Sequence, residues 1–228
     1  KLYSDANYGR YEMIFEAVRG AIDMAGLKKK DISTVISCTN DYYDGRTISN
    51  CFTVEVGGGY MADESKVEMD GAHGVLYGLM RILSGNHKLA VVWGGSMASC
   101  FPYHSARLFE TDPTWERPSA YVNNITAAGF QMRAYMEKYG VTREHLSMVA
   151  IKNQTNGLLN PYAHIQMKIT MEGILTHPQS HVNSPVVADP IHLYDCCPVS
   201  DGAAAVLLTT EEIAKKLKKP LVTIDDIG

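Results

Sequence analysis

Residues 67–99 constrain the fold of this chain more than any other stretch, because they suggest a strand, a tight turn, a helix and a second strand in succession. Gly71, Ala72 and Gly74 are small enough for the backbone to turn sharply and for a helix to begin close to a strand. Apolar residues at helical spacing follow them. Residues 89–93 then form a short apolar run that is typical of a buried strand. Strand, helix and strand in this order predict parallel pairing within an α/β sheet.

The segments before this stretch continue the α/β pattern. Residues 8–25 carry one apolar stripe at helical spacing, and Gly26 is expected to end that helix. Residues 34–37 are rich in β-forming side chains and predict a strand. We expect a further strand before this first helix. Because the sequence opens on Lys1 without a methionine, we also expect a fragment that begins too late to contain that strand.

The pattern changes after Gly94 and Gly95, which we expect to end the second strand. Helical spacing over residues 119–139 and 142–156 predicts two helices, the second with Thr142 as its N-cap. A short helix at residues 170–175 and a loop at residues 177–198 complete the expectations for this region. We therefore predict a mostly helical insertion.

The sheet is expected to resume after this insertion. Residues 200–202 suggest a tight turn, residues 203–208 a buried strand, residues 210–217 a capped helix and residues 221–224 a last strand. The predicted domain organisation is an α/β part at residues 1–99, a helical loop domain at 100–185 and a return to the same sheet at 186–228.

The turn at residue 71 is where we expect chemistry, because the unpaired N–H groups at a helix N-terminus favour a thiolate or a bound oxyanion. Gly71 itself has no side chain and cannot act as a nucleophile. Asp70 either caps the helix or holds a neighbouring histidine or a substrate group. His73 either moves a proton, as a neutral ring favoured by the nearby helix dipole, or simply packs beneath the loop domain.

Charge and cysteine spacing exclude several classes of function. The net charge is −4 and the basic residues form no stripe, so we expect no nucleic-acid partner. The five cysteines have no metal-ligand spacing, which predicts no metal site and favours reduced thiols in a cytoplasmic protein. No apolar run reaches the length of a membrane span and no signal peptide is recognisable, so we expect no membrane partner.

Several separated motifs resemble those of the thiolase superfamily, in its sterol-carrier-type and archaeal branch. The family turn reads roughly V-E-x-x-C-A-S-G; Val67, Glu68, Ala72 and Gly74 match it, whereas Gly71 stands at the cysteine position. His73 stands at the serine position. Further matches are Y-M-E-K-Y-G-x-T-R-E-x-L at residues 135–146, K-N at 152–153, N-P-x-A at 160–163 and D-C-C-x-x-S-D-G-A-A-A at 195–205.

The resemblance implies the N-terminal half of a thiolase: an αβα-layered α/β half with a helical loop-domain insertion. The family's C-terminal half, with its G-H-P histidine and second cysteine, is not found in these residues. The implied substrate is a coenzyme A thioester, with no tightly bound cofactor. Asn153 and Ser184, the latter within a loop at residues 180–184, are the candidates for holding the pantetheine arm of CoA.

Loss of the turn cysteine leaves two functions open. The first is an acyl-CoA enzyme or subunit that cleaves a carbon–carbon bond without covalent acylation, as aldolase-like relatives do. The second is a non-catalytic CoA-binding or scaffolding paralogue. Cys100 is the alternative thiol, whereas Cys196 and Cys197 are expected in the core.

The resemblance also implies partners. A homodimer is expected through the strand of residues 89–93, from Leu89 to Trp93, which would extend the sheet across a two-fold axis. A small subunit with a zinc ribbon and an OB fold is a further expected partner.

Overall fold

The structure is a computed structural model, and it describes residues 2–3, 9–44, 47–100, 112–115, 118, 123–177 and 184–227. The chain divides into two compact units, of which the first comprises Lys1–Phe101 with Ser200–Gly228 and the second Pro102–Val199. The segment after residue 186 thus belongs to the second unit up to Val199, later than the return to the sheet expected from the sequence.

The described residues form seven strands and six helices. The strands are β1 Leu2–Tyr3, β2 Thr34–Cys38, β3 Asp63–Val67, β4 Leu89–Met97, β5 Val186–Ala188, β6 Ile191–His192 and β7 Asp201–Thr209. The helices are α1 Arg10–Ala25, α2 Asp41–Asp44, α3 Gly71–Leu83, α4 Asn124–Tyr139, α5 Arg143–Gly157 and α6 Glu211–Leu217. Single 3₁₀ turns lie at Lys29–Asp31, Ser49–Phe52, Ala98–Cys100 and Leu193–Asp195, and a π-helical turn at Glu172–Thr176.

The first unit is built on a five-stranded mixed sheet of order β1-β7-β4-β2-β3. Strand β2 pairs in parallel with both β3 and β4, which confirms the parallel pairing predicted around the strand–turn–helix stretch. Strand β7 runs antiparallel to β4, and β1 runs antiparallel to β7. The α/β fold class is therefore confirmed.

The sheet carries a helix on each face. On one face, Ile14 and Val18 of α1 pack in a cluster with Trp93 of β4. On the other face, Ile82 of α3 packs with Val92 of β4. Helix α1 ends as predicted at Gly26, whose φ of 72° suits a residue without a side chain.

Strand β4 extends beyond its predicted end, because Gly94 and Gly95 continue its pairing with β7 as far as Met97. A side chain at Gly95 would meet Ile14 of α1 at 2.9 Å, so this glycine permits close packing of the helix rather than a turn. The expectation that the glycines end the strand was wrong.

The central position of β4 also corrects the expected dimer contact. Residues 89–93 are hydrogen-bonded to β2 on one side and to β7 on the other, so no edge of this segment remains for a second copy. Residues 201–202 are not a turn, since Asp201 and Gly202 open β7 opposite Met97 and Ser96.

The two ends of the chain differ from expectation as well. A short strand precedes α1, since Leu2–Tyr3 pairs with the start of β7. Residues 221–224 form no strand; Val222 there is 90 % exposed and has no neighbouring strand among the described residues. Helix α6 forms where it was predicted, directly after Thr210.

The described residues of the second unit form two long helices and one hairpin. Helices α4 and α5 confirm the two predicted helices, although residues 119–122 of the first prediction lie outside the described residues. The predicted loop at residues 177–198 contains the hairpin β5–β6. Gly129 of α4 lets this hairpin approach, because a side chain there would meet the carbonyl oxygens of Ala188 and Asp189 at 3.2 Å.

Candidate functional site

The N-terminus of α3 forms the candidate site, and Asp70 caps it. Asp70 Oδ1 accepts the backbone N–H of Ala72 at 3.0 Å and that of His73 at 3.2 Å. Two of the N–H groups that the first turn leaves unpaired are thereby satisfied. The N-cap interpretation of Asp70 is confirmed.

The same carboxylate also holds the His73 ring. Nδ1 of His73 lies 3.0 Å from Asp70 Oδ1. An ionised carboxylate only accepts hydrogen bonds, so this contact assigns the proton to Nδ1 and leaves the lone pair of a neutral ring on Nε2. The His73 contact lowers the pKa of Asp70 below its ordinary range, as do the hydrogen bonds from the backbone. Half of the His73 side chain is exposed.

Gly71 is the first residue of α3, and the space beside it is open. A side chain built at this position would meet no atom within 4 Å. The position that the family motif assigns to a cysteine thus has open space around a β-carbon, and glycine is not required there by packing. No group of this residue can take an acyl chain.

Two further glycines bring α3 close to the sheet. A side chain at Gly74 would overlap the sulfur of Cys38, and one at Gly78 would meet Leu208 at 2.7 Å and Val92 at 2.9 Å. Burial raises the pKa of Cys38 to about 11, and the charge of Asp70 adds to the effect. Cys38 is therefore a neutral thiol at neutral pH and a poor nucleophile.

An ion cluster that sequence reasoning missed lies just before the turn. Lys66 pairs with Asp41 and, at 2.6 Å, with Glu68. Glu68 also accepts the N–H of Asp41 at 2.5 Å. Burial alone would lower the pKa of Lys66, but the two carboxylates outweigh it and raise the pKa, while Lys66 foremost lowers that of Asp41. The motif match at Glu68 was the only signal in the sequence.

Among the remaining cysteines, the Cys100 sulfur lies 4.0 Å from the Ser99 hydroxyl, at the outer limit for a hydrogen bond to sulfur. Cys100 is exposed, and its neighbour Ser99 donates to the buried Asp201 from both N–H and hydroxyl, at 2.8 and 2.5 Å. Burial raises the pKa of Cys196, and the charge of Asp195 contributes. Cys197 is exposed rather than in the core.

The two CoA candidates belong to the second unit. Asn153 is exposed on α5. Ser184 is fully buried; its carbonyl accepts the ring N–H of His192 at 2.7 Å, so this residue supports the hairpin from within. The rest of the candidate loop, residues 180–183, lies outside the described residues.

Metal ligation and membrane insertion find no support in the described part of the chain. No three His, Cys, Asp or Glu side chains there are grouped so as to hold a metal ion. None of the helices described is both long enough and apolar enough to span a bilayer.

Comparison with known proteins gives consistent matches. Residues 4–212 match the family model of the thiolase N-terminal domain. An acetyl-CoA acetyltransferase of Methanothermobacter thermautotrophicus is 31 % identical over 211 residues, covering 90 % of this chain and 53 % of the relative. A steroid side-chain-cleaving aldolase of Thermomonospora curvata is 37 % identical over 89 residues, which are 39 % of this chain and 21 % of that protein.

A solved structure described as an Ltp2-ChsH2(DUF35) aldolase has a TM-score of 0.74 and 24 % identity, covering 94 % of this chain and 54 % of the other. At this identity the likeness shows the fold alone. The chain spans about half the length of the archaeal relative it matches. The family model covers most of the sequence, and the chain therefore belongs to the thiolase family, of which it carries the N-terminal domain.

Proposed function

We propose that this chain is part of an acyl-CoA enzyme that cleaves a carbon–carbon bond without forming an acyl-enzyme. The proposal rests on two features of the same helix N-terminus. Gly71 has no side chain and open space beside it, and Asp70 orients the His73 ring. Such a site can exchange a proton and stabilise an oxyanion, but it has no thiolate to acylate.

In the proposed reaction the substrate is a β-hydroxyacyl-CoA. Nε2 of His73 accepts the proton of the β-hydroxyl group, the Cα–Cβ bond breaks, and the β-carbon leaves as a carbonyl compound. The electron pair passes to the thioester as an enolate. The N–H of Gly71 and the dipole of α3 stabilise that oxyanion, since Asp70 already occupies the N–H groups of Ala72 and His73. The imidazolium then returns its proton to the α-carbon.

A non-catalytic CoA-binding or scaffolding paralogue is the second candidate. It is favoured by the same lack of a side chain at Gly71, which leaves the turn without a nucleophile. In either case Asn153 is the exposed candidate for contact with the pantetheine arm, and a CoA thioester is the ligand. Ser184 would act only by supporting the hairpin.

Turnover separates the two candidates. The full-length protein is incubated with β-hydroxyacyl-CoA and with acetoacetyl-CoA, and free carbonyl product and CoA esters are quantified. The aldolase proposal expects cleavage of the first substrate and loss of that activity in His73→Ala, with His145→Ala, an exposed histidine on α5, as the control. CoA binding without cleavage of either substrate would favour the scaffold. Rapid alkylation of a native cysteine that CoA protects would contradict the premise that the site has no nucleophilic thiol.

We also propose a homodimer, now through the outer edge of β3, which has no neighbouring strand among the described residues. The strand reads D-E-S-K-V, so antiparallel pairing about Ser65 would set Glu64 opposite Lys66 of the second copy. Glu64→Lys should weaken the dimer in sedimentation experiments, whereas Glu64→Gln should do so less. Equal dimer stability in both variants would contradict this edge.

A small zinc-ribbon and OB-fold subunit is proposed as a further partner, by resemblance to family members and to the two-component aldolase of similar fold. Co-purification of the full-length protein with its co-expressed candidate subunit tests it. The five free thiols favour a reducing, cytoplasmic location.

A further inference from the structure

The ion cluster of Asp41, Lys66 and Glu68, here called the carboxylate clamp, joins two segments that are distant in sequence. The Asp41 carboxylate accepts the N–H groups of Ile48 and Ser49, both at 2.8 Å, and the ammonium of Lys66. Glu68 accepts the N–H of Asp41 and the same ammonium. Each carboxylate is thus bonded both to backbone and to one shared cation.

The clamp lies where the chain enters the candidate site. Glu68 stands two residues before Asp70, the N-cap of α3. On the other side, Asp41 fixes the turn that contains Ile48, a β-branched residue with a φ of 56°. A branched residue in the left-handed region is held there by its surroundings, since it is unfavourable by itself.

Charge balance at this entry depends on Lys66. Its side chain is only 14 % exposed, and it lies between two carboxylates. Asp70 adds a third carboxylate at the same end of the sheet. Without Lys66, the helix N-terminus that should attract an oxyanion would face these negative charges uncompensated.

We propose that Lys66 is a positioning residue of the site: it neutralises Asp41 and Glu68, fixes the segment leading into α3, and so keeps the N-terminus of α3 receptive to negative charge. The functional value of this role rests on the proposed function, because the oxyanion to be stabilised is that of the proposed reaction. It is tested on the turn itself, without turnover, so that its failure and that of the proposed aldolase reaction remain distinguishable.

The test uses Gly71→Cys as a reporter, because a side chain at that position meets open space. Alkylation of Cys at position 71 by iodoacetamide is followed by peptide mass spectrometry as a function of pH, which separates it from the native thiols. The charged and titratable groups around the turn are Asp70 and His73 on its own element, Lys66 and Glu68 before it, Asp41, and Cys38 on β2.

In this background Lys66→Met should shift the alkylation profile to higher pH and slow the reaction at pH 7 on the order of three- to tenfold. Lys66→Arg should restore most of the rate. Lys216→Met, which removes an exposed ion pair on α6, is the matched control and should leave the profile unchanged. Circular dichroism and thermal unfolding verify that each variant is folded.

If Lys66→Met does not fold, Asp41→Asn combined with Glu68→Gln provides a second measurement, since it removes the negative charges and should shift the profile to lower pH. An unchanged profile in Lys66→Met, or an equal shift in Lys216→Met, would overturn the proposal. So would a Lys66→Arg variant as slow as Lys66→Met.

Discussion

At the scale of single residues, Oδ1 of Asp70 accepts three hydrogen bonds: two from the backbone at the start of α3 and one from the His73 ring. The cap and the ring contact use the same atom but differ in chemistry. Serine caps helices about as well as aspartate, yet it cannot provide the charge that holds the ring proton on Nδ1.

Asp70→Ser should therefore leave the urea unfolding midpoint close to that of the parent chain, whereas Asp70→Ala should lower it. Both variants should lose the β-hydroxyacyl-CoA cleavage proposed for the full-length protein, because His73 loses its orienting partner. Unfolding followed by circular dichroism and a turnover assay check the two halves. Full activity in Asp70→Ser would show that the ring needs no carboxylate.

A second carboxylate gives a pH-dependent prediction. Arg81 pairs with Asp63 and lowers its pKa from the usual 3.8, so this ion pair stabilises the fold above that pH and is lost as pH falls through the lower, folded value. Asp63→Asn should destabilise the chain at pH 7, and the difference from the parent should shrink as the pH is lowered below about 3.8. Urea unfolding at a series of pH values measures it; a constant difference would contradict the assigned ion pair.

At the scale of elements, the glycines of α3 have different roles, and the sequence alone does not distinguish them. Gly74 and Gly78 lie against the sheet, whereas Gly71 faces open space. The packing of α3 on β2 and β4 thus depends on the first two and not on the third.

Gly74→Ala should lower the free energy of unfolding by about 1–3 kcal/mol, because the added carbon overlaps Cys38. Gly71→Ala is the matched control and should change it by no more than about 0.5 kcal/mol. Equal effects, measured by urea unfolding, would mean that α3 can move away from the sheet without cost.

These elements also show what the sequence could predict. The N-terminus of α3, its N-cap and the parallel pairing follow from local spacing and were predicted correctly. The position of the strand before the turn was not, since we expected that strand to begin at Val67, where β3 ends. The length of β4 was not predicted correctly, because Gly95 leaves space for the side chain of Ile14, which is distant in sequence, and does not form a turn. The carboxylate clamp was missed for the same reason: its contacts join residues 25 and 27 positions apart, and no local pattern reports them.

At the scale of the whole chain, α3 presents an uncovered apolar side. Leu76, Met80 and Leu83 recur at helical spacing and are 36, 58 and 75 % exposed. Exposed apolar patches of this kind promote association. We therefore expect this patch to cause self-association of the isolated chain.

Met80→Lys combined with Leu83→Lys should therefore reduce light scattering of the isolated chain at high concentration. Its free energy of unfolding should change by no more than about 0.5 kcal/mol, since both side chains are exposed. Met24→Lys, at an exposed methionine of α1, is the control. Equal solubilisation by the control would locate the cause elsewhere on the surface.

The antiparallel pairing of β4 with β7 has a consequence for folding during translation. Ser99, just past the end of β4, can form its hydrogen bond to Asp201 only after a further 102 residues have been synthesised. At the usual pace of translation, that delay is roughly 5–20 s. During this time the edge of β4 that later pairs with β7 has no partner strand in the nascent chain. We expect ribosome-bound chaperones to bind this unpaired edge. A stalled chain that ends before Ser200 should be prone to aggregation.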